Sequence, residues 1–245
     1  MAYHKTANYL LNPTHKITIK LIGLGGTGTQ VLSALARTHM GLVALGHPGI
    51  HVIGYDPDII STANVGRQLY SIADIGLNKA IVSISRINRF FGFEWEAVNK
   101  KYGKSRNANI TISCVDTAKA RIQIGTILRE ESAGYDDSKS FYWLDFGNSQ
   151  DTGQVILGTV NDAGLKTVDQ MFDLSKIKEK NQGPSCSLAE AIGKQDLFIN
   201  STLANLGCNL LWKLFTEGRI NYHGLYLNLK NMQVRPIPVQ EMEVA

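Results

Sequence analysis

The 245-residue chain has few cysteines, little net charge and no long apolar segment. Its three cysteines are widely spaced and form no Cys-x-x-Cys pair, which argues against a disulfide framework and excludes a four-cysteine zinc site. The net charge of +4 is mild and does not indicate a nucleic-acid partner. No apolar run approaches the roughly 20 residues of a membrane span, and the N-terminus lacks a secretory h-region. We therefore expect a cytoplasmic protein with no membrane partner.

The sequence also contains no internal repeat and no low-complexity segment. Hydrophobic residues make up 44% of the chain, which is enough for a sizeable core, and the length fits one α/β domain with additions. The densest basic run, at residues 100–106, is predicted to be a solvated loop, with contact to a phosphate or an acidic partner as the alternative.

A glycine-rich turn follows the first apolar run, within the sequence ITIKLIGLGGTGTQ at residues 17–30. A strand, a glycine turn and a helix start in this order are typical of a phosphate-binding loop. Glycine lets the backbone approach a phosphate, and the helix start offers free N–H groups. By itself the turn fits an NAD-type oxidoreductase equally well, or a turn that binds nothing. The candidate ligand-binding residues of the turn are Gly23, Gly25, Gly26, Thr27 and Gly28.

An acidic pair ends the second predicted strand, at residues 50–55, in the sequence Asp56-Pro57-Asp58. Ligands of α/β folds bind at the carboxyl ends of the parallel strands, so Asp56 is predicted to accept hydrogen bonds from a ribose. Asp58 is a second candidate for nucleotide binding. The alternative for Asp56 is a turn-forming role without a ligand.

A polar cluster comes next, in the segment Asn64-Val65-Gly66-Arg67-Gln68. The Arg67 guanidinium can pair with a phosphate in a fork geometry, and Asn64 and Gln68 can donate hydrogen bonds to phosphate or sugar oxygens. Lys79 begins a helix predicted at residues 79–91, where its charge opposes the helix dipole, so a nearby anion would explain it. The alternative is a solvated lysine.

Asp116 follows a predicted strand at residues 109–115, again at the edge where α/β sheets bind ligands. This position makes it a candidate ligand for Mg²⁺. Its alternative role is the N-cap of a helix predicted at residues 117–128, which Asp fills well.

The remaining patterns predict an α/β fold with a mostly parallel, Rossmann-like sheet that is flanked by helices and becomes antiparallel towards the C-terminus. Further helices are predicted at residues 28–38 and 188–215, with a loop at 41–49 and a polar, mobile or functional connection at 161–185. Further strands are predicted at residues 17–22, 94–98, 141–146 and 154–160, and a terminal hairpin at 224–239.

Taken together, these motifs resemble the ThiF/MoeB/HesA superfamily of adenylating enzymes, which activate ubiquitin-like and sulfur-carrier proteins. The resemblance covers about residues 17–215, and within the superfamily the tract CSLAEAIGKQDLFINSTLANLG is similar to the ThiF-type branch of PRTRC plasmid-associated gene systems. The matching elements are the glycine turn, Asp56-Pro57-Asp58, Asn64 to Gln68, Asp74-Ile75-Gly76 with Lys79, Val115-Asp116 with Arg121, and Gly183-Pro184-Ser185-Cys186.

The resemblance implies ATP and Mg²⁺ as cofactors, a small ubiquitin-like or sulfur-carrier protein as partner, and a homodimer. It also implies that Arg67, Lys79 and Asp116 act in adenylation, with Asp116 on the metal. Cys186 would then take the acyl group as a thioester or form a persulfide, or it is simply a small residue that opens a helix. In this interpretation residues 1–16 are an N-terminal arm, 17–160 the ATP-binding region, and 161–245 a crossover loop, long helix and hairpin of the same domain.

Three departures from that superfamily bear on activity. The zinc-binding Cys-x-x-Cys pairs of some branches are missing. Members of the superfamily usually supply an N-terminal arginine to the ATP bound by the partner subunit, and residues 1–16 contain no arginine. Thr117 stands where the superfamily has Asn after the metal-binding Asp. Two other functions therefore stay open: an NAD(P)-dependent oxidoreductase, and an inactive module of the same fold that binds a nucleotide or the ubiquitin-like protein.

Overall fold

A computed structural model describes residues 2–105, 108–133, 141–160, 164–177, 193 and 195–240. The helices within these ranges are Asn8–Leu11 (α1), Gly26–Ala44 (α2), Lys79–Phe91 (α3), Ala118–Ser132 (α4), Val168–Met171 (α5) and Ile199–Thr216 (α6). The strands are His4–Lys5 (β1), Ile17–Ile22 (β2), Ile50–Tyr55 (β3), Glu96–Val98 (β4), Ile110–Ser113 (β5), Tyr142–Asn148 (β6), Thr152–Thr159 (β7), Arg219–Ile220 (β8), Tyr222–Asn228 (β9) and Gln233–Pro238 (β10).

One eight-stranded sheet organises the fold, in the order β10-β9-β7-β6-β5-β2-β3-β4. The five strands from β6 to β4 are parallel, whereas β7, β9 and β10 are antiparallel to their neighbours. This arrangement confirms the predicted fold class, including the change of direction towards the C-terminus. The carboxyl ends of β2, β3, β5 and β6 therefore meet at one edge of the sheet.

The central strands form because their β-branched and apolar side chains are buried on both faces of the sheet. In β2 every residue except Thr18 is buried. Helices α2 and α6 pack together on the core, through leucines that are no more than 1% exposed, such as Leu32, Leu35 and Leu211. Lys20 is the polar exception within β2, and its ammonium lies 3.0 Å from the Glu131 carboxylate.

Several predicted boundaries are wrong for identifiable reasons. The helix predicted at residues 28–38 runs to Ala44, into the predicted loop, because nothing before Pro48 breaks it and Gly41 packs against the Trp212 ring. The helix predicted at residues 188–215 is interrupted in its described part. Gly193 is helical, and α6 begins at Ile199 after a turn in which the Asp196 carboxylate accepts the Phe198 N–H. Most predicted strands differ from the observed ones by one to three residues at their ends.

The first 16 residues, interpreted as an arm, are attached to the body of the protein. Strand β1 pairs with β8, and the Thr6 hydroxyl donates a 3.0 Å hydrogen bond to the Leu214 carbonyl. Leu10 is fully buried. The N-terminal segment is therefore part of the core packing around α6.

The sheet edges carry features that oppose further strand addition. Pro236 and Pro238 lie in the edge strand β10, where a missing N–H is tolerated because no strand follows. The opposite edge strand, β4, is only three residues long. Among the described helices none has the length and apolar character needed to cross a membrane.

Candidate functional site

The glycine turn between β2 and α2 is shaped mostly by close backbone packing. Gly23 has a φ of +87°, and a Cβ there would lie 2.7 Å from the Cys114 carbonyl oxygen at the end of β5. A Cβ on Gly28 would overlap the Gly23 carbonyl oxygen. A Cβ on Gly26 would lie 2.7 Å from the Asn200 amide nitrogen, whereas one on Gly25 would have no described atom within 4 Å. Gly25 is therefore the glycine that faces open space.

Asp56, just after β3, stabilises the glycine turn by hydrogen bonding. Its side chain is 4% exposed, and its oxygens accept the Leu24 N–H at 2.6 Å and the Asp58 N–H at 2.8 Å. Burial raises the pKa of the Asp56 carboxyl, and the two N–H groups oppose that rise. The turn-forming role is thus observed, and a ribose would have to share oxygens that already accept hydrogen bonds.

Lys79 is buried at the start of α3, which excludes the solvated alternative. It is 8% exposed, and its ammonium lies 3.0 Å from the Asp58 carboxylate, whose own side chain is 64% exposed. The preceding Asn78 caps the helix by accepting the Ile81 N–H. The unfavourable position of the Lys79 charge on the helix dipole is therefore offset in part by Asp58.

The segment after β3 holds two buried polar atoms, Arg67 Nε and Gln68 Oε1, for which the described residues provide no hydrogen-bond partner. Burial also lowers the pKa of the Arg67 guanidinium. Asn64 is used locally, because its side-chain oxygen accepts the Ser61 N–H at 2.9 Å. Buried polar groups normally have partners, so the two unsatisfied atoms fit a site that binds a polar ligand.

A network of amide side chains joins Arg67 to the glycine turn. Arg67 Nη1 donates to Gln195 Oε1 at 2.7 Å, and Asn200 Nδ2 donates to the same oxygen at 3.1 Å. Asn200 Oδ1 in turn accepts the Thr27 hydroxyl at 2.8 Å and Asn148 Nδ2 at 3.0 Å. The predicted Thr27 and Arg67 are thereby brought to one site.

The three amides of this network are absent from the sequence predictions. Asn148 follows the strand predicted at 141–146, so the rule applied to Asp56 and Asp116 would have identified it. The prediction of one continuous helix at residues 188–215 includes Gln195 and Asn200. It gave no reason to select them, because it did not show that Gln195 lies in a turn and Asn200 at the start of a helix.

Asp116 lies beside this site and lines a cavity. It is exposed, and no hydrogen bond or ion pair joins it to the residues that the structure describes. Its N-cap alternative is wrong, because Thr117 caps α4 by accepting the Ala120 N–H at 3.2 Å. The described residues contain no cluster of three His, Cys, Asp or Glu side chains that could hold a metal ion. A single carboxylate together with substrate phosphates is, however, a common way to bind Mg²⁺.

Arg121, matched to the superfamily pattern, is held by a buried carboxylate. Its Nε lies 3.1 and 3.0 Å from the two Asp145 oxygens, and its Nη2 donates to the Phe146 carbonyl at 2.9 Å. Asp145 is 0% exposed and also accepts the Ser113 hydroxyl. The interactions of Arg121 are therefore those of a structural residue.

The cavity has a volume of about 1170 Å³ and lies over the antiparallel part of the sheet. Its lining includes Asp116 and Gln195 but not the glycine turn, so it adjoins the nucleotide-binding candidates and does not enclose them. Polar and amide side chains dominate its wall: Asn148, Ser149, Thr152, Gln154, Asn228, Asn231, Gln233 and Arg235.

The cysteines differ in what the structure describes of them. Cys186 lies outside the described residues, so its role stays a prediction. Cys208 is 5% exposed within α6, and burial raises the pKa of its thiol to about 12. Burial also raises the pKa of the Cys114 thiol well above its usual value. Neither of these two thiols is activated as a nucleophile.

Comparison with known proteins identifies both a family and a fold. The model of the ThiF family matches residues 11–245. A search of curated proteins gives no match.

Solved structures with the same fold include PaaA, at a TM-score of 0.61 and 16% identity, with 92% of this chain and 65% of that chain covered. E. coli MccB solved with ATP has a TM-score of 0.60 and 17% identity, with 98% and 67% covered. E. coli MccB solved with MccA has a TM-score of 0.61 and 18% identity, with 98% and 67% covered. The chain thus spans about two thirds of the length of these proteins.

Proposed function

The chain belongs to the ThiF family, and from this premise we propose that it is an ATP-dependent adenylyltransferase. Its substrate is the C-terminal carboxylate of a small ubiquitin-like or sulfur-carrier protein. A carboxylate oxygen attacks the α-phosphorus of ATP, and the bond from that phosphorus to the leaving pyrophosphate breaks. The products are an acyl-adenylate and pyrophosphate.

The observation that supports ATP most strongly is the environment of Arg67. Among the described residues its half-buried guanidinium has a neutral amide, Gln195, as partner and no carboxylate, and its Nε has no hydrogen-bond partner. A cation in such a place is costly unless an anion joins it. Through Gln195 and Asn200 it is connected to the glycine turn, where Gly25 leaves open space.

In this mechanism the protein supplies charge and orientation and makes no covalent bond in the first step. The turn from Gly23 to Gly28 holds the nucleotide, with the phosphates opposite Gly25. Arg67 and Lys79 offset the charge that develops on the phosphates. Asp56 and Asp58 are the proposed acceptors of hydrogen bonds from the nucleoside hydroxyls, and Asn64 and Gln68 the proposed donors to ribose and phosphate oxygens.

Asp116 is the proposed ligand of Mg²⁺, with the phosphates completing the coordination. The ion would supply further charge neutralisation at the phosphates. The cavity beside Asp116 would take the C-terminal tail of the protein substrate, because its amide-lined wall suits the peptide groups of an extended chain. E. coli MccB, which shares this fold, has been solved with MccA, and this supports a bound partner in the proposal.

Pyrophosphate exchange tests the proposal. The purified protein should exchange labelled pyrophosphate into ATP when its protein substrate is present, and Arg67→Ala should lower that rate about 10²–10³-fold, as removal of one oxyanion-hole donor does. Arg89→Ala is the matched control, since Arg89 is an exposed arginine on α3. An Arg67→Ala protein that exchanges at the parental rate contradicts the assignment.

Titration with ATP–Mg²⁺ and with NADH separates the remaining alternatives. Binding of NADH and not of ATP would support an oxidoreductase, which leaves Arg67, Lys79 and Asp116 without a role. Binding of ATP without any exchange would indicate an inactive module of the same fold.

Cys186 is the proposed nucleophile of a second step. Its thiolate would attack the carbonyl of the acyl-adenylate, so that a thioester forms and AMP leaves. The parent should form a thiol-sensitive adduct with its partner, and Cys186→Ser should not. A Cys186→Ser protein that keeps this adduct excludes Cys186.

We also propose a homodimer. Six apolar side chains between residues 59 and 81 are at least 41% exposed and surround the Arg67 and Lys79 segment: Ile59, Leu69, Ile72, Ile75, Leu77 and Ile81. Exposed apolar side chains concentrated in this way are typical of interaction sites. Sedimentation should give a dimer for the parent and a monomer for Ile72→Glu, and a monomeric parent would contradict the proposal.

Assignment to the PRTRC branch and to the cytoplasm stays a prediction. A small ubiquitin-like reading frame that ends in glycine next to this gene would support the branch.

A further inference from the structure

Three arginines of the described chain, Arg67, Arg121 and Arg129, are held in two different ways. Arg121 and Arg129 both pair with carboxylates, at 3.0 Å to Asp145 and 2.8 Å to Asp169. Arg67 instead donates to the neutral side-chain oxygen of Gln195 at 2.7 Å, the shortest of these three contacts. The Arg67 charge is therefore fixed in position without being neutralised by any described residue.

Gln195 is itself fixed in one orientation. Its side-chain oxygen accepts from both Arg67 and Asn200, so the carbonyl end of the amide must face these two donors. Asn200 is held in turn by Thr27 and Asn148. Hydrogen bonds through Gln195 and Asn200 therefore connect the Arg67 guanidinium to Thr27 at the start of α2 and to Asn148 at the end of β6.

We infer that Gln195 is a positioning residue that aims Arg67 at the phosphates of the nucleotide while leaving its positive charge available to them. This inference rests on the proposed ATP-dependent function. A carboxylate in the place of Gln195 would form a charge-assisted pair with Arg67 and so compete directly with a phosphate. A neutral acceptor gives orientation without that competition.

Gln195 also lines the cavity that holds Asp116. The Gln195 side chain thereby contacts Arg67, the proposed phosphate ligand, and forms part of the cavity proposed for the protein substrate. The inferred role explains why an amide, which cannot neutralise a charge, occupies the turn before α6.

The decisive variant is Gln195→Glu, which is nearly isosteric and keeps an acceptor for both Arg67 and Asn200. We expect its thermal midpoint to equal or exceed that of the parent. Its affinity for ATP, measured by calorimetry, should fall at least about tenfold, because the new carboxylate neutralises the cation that the phosphates need. Its affinity for adenosine, measured by ligand-detected NMR, should stay within about twofold of the parent, because adenosine carries no phosphate.

The comparison variant is Gln195→Met, which matches the size of the side chain but accepts no strong hydrogen bond. We expect pyrophosphate exchange to fall about tenfold in kcat with a smaller change in ATP affinity, because the cation remains but its direction is no longer fixed.

Three outcomes overturn the inference. They are parental ATP affinity in Gln195→Glu, an equal loss of ATP and adenosine affinity in that variant, and parental exchange in Gln195→Met. The first two outcomes require that the parent protein binds ATP, so they contradict the role of Gln195 without contradicting the proposed function. A parent that binds no ATP removes the proposed function and the inference together.

Discussion

Arg121 lines the cavity and Arg67 contacts Gln195 in the wall of the same cavity, and both arginines came from motifs that suggested a function. Around Arg121 the protein supplies a complete set of partners, namely both oxygens of a fully buried Asp145 and a backbone carbonyl. Around Arg67 the described part of the chain supplies one neutral amide and no partner for Nε. Motif spacing alone does not distinguish the two residues, whereas their partners do.

The difference shows what a buried charge costs. A charge that is removed from water must be compensated, and Arg121 is compensated within the fold. The charge of Arg67 is only partly compensated, so its burial costs folding free energy. An anionic ligand that binds there would be stabilised by the uncompensated charge. On this argument we expect the stability of the protein to depend on Arg121 and the proposed adenylation to depend on Arg67.

The largest expected effect is on stability at Arg121. Arg121→Met should lower the free energy of unfolding by about 3–5 kcal/mol, because it leaves the Asp145 carboxylate buried without its cation. Urea denaturation measures this change. Arg67→Met is the matched variant, and it should change stability by less than about 1 kcal/mol because it leaves no buried carboxylate behind.

The cause can be isolated with a double variant. Arg121→Met combined with Asp145→Asn should recover part of the lost stability, because the neutral amide no longer needs a cation. Equal losses in Arg121→Met and Arg67→Met would mean that the two arginines are not held differently.

The glycine turn offers the same contrast within one loop. Gly28→Ala should destabilise the protein by about 3 kcal/mol, because the new methyl group overlaps the Gly23 carbonyl oxygen. Gly25→Ala has open space for its methyl group, but Gly25 has a φ of −78° and a ψ of −149°, outside the region where alanine is relaxed. Its stability should therefore fall by about 1–2 kcal/mol, less than in Gly28→Ala, while ATP binding weakens. Thermal unfolding and ATP titration of both variants check this. Normal ATP binding by Gly25→Ala would show that the nucleotide lies elsewhere.

His223 in β9 extends the comparison to a buried group that avoids the need for a counter-charge by staying neutral. It is 6% exposed, donates from Nδ1 to the Leu157 carbonyl at 2.9 Å, and burial lowers its pKa. As the pH falls below the unfolded value of about 6.5, the unfolded chain takes up a proton that the folded imidazole refuses, so stability is lost.

The loss from His223 should reach about 1.4 kcal/mol per pH unit between pH 6.5 and its lowered folded pKa. His223→Gln keeps a donor for Leu157 and should remove this contribution, so its stability should fall less steeply on acidification, as measured by urea denaturation at pH 5 to 7. The pKa of His39 is lowered by burial too, so a residual slope is expected. Parallel curves for parent and variant would show that His223 does not contribute.

The parallel half of the fold follows closely from local sequence pattern. Strands β2 and β3 have the predicted boundaries, and α3 begins and ends at the predicted residues 79 and 91. These elements are short, strongly apolar or strongly amphipathic, and they are bounded by glycine, proline or asparagine. Local chemistry and tertiary packing agree there, which is why the sequence suffices.

The candidate site was only partly predictable because its key contacts join distant parts of the chain. Arg67 and Gln195 are 128 positions apart, and Thr27 and Asn200 are 173 apart. No local pattern records such a contact. The same applies to Arg121, since its partner Asp145 lies within a predicted strand and appears in the sequence as one more strand residue. The sequence therefore suggested candidate residues for the site, but it did not show which partner offsets the charge of each arginine.

The smallest expected effect lies at Asp58, where the ion pair with Lys79 is 64% exposed on the carboxylate side. Asp58→Asn should change the free energy of unfolding by about 0.2–1 kcal/mol, because water replaces most of what the carboxylate supplied. That difference should vanish in 1 M salt, where charges are screened over about 3 Å. The loss in Arg121→Met should persist in the same salt, because its pair is excluded from solvent. A salt-resistant cost at Asp58 would mean that the Lys79 charge is compensated from within the fold, as that of Arg121 is, and is less available to a phosphate than that of Arg67.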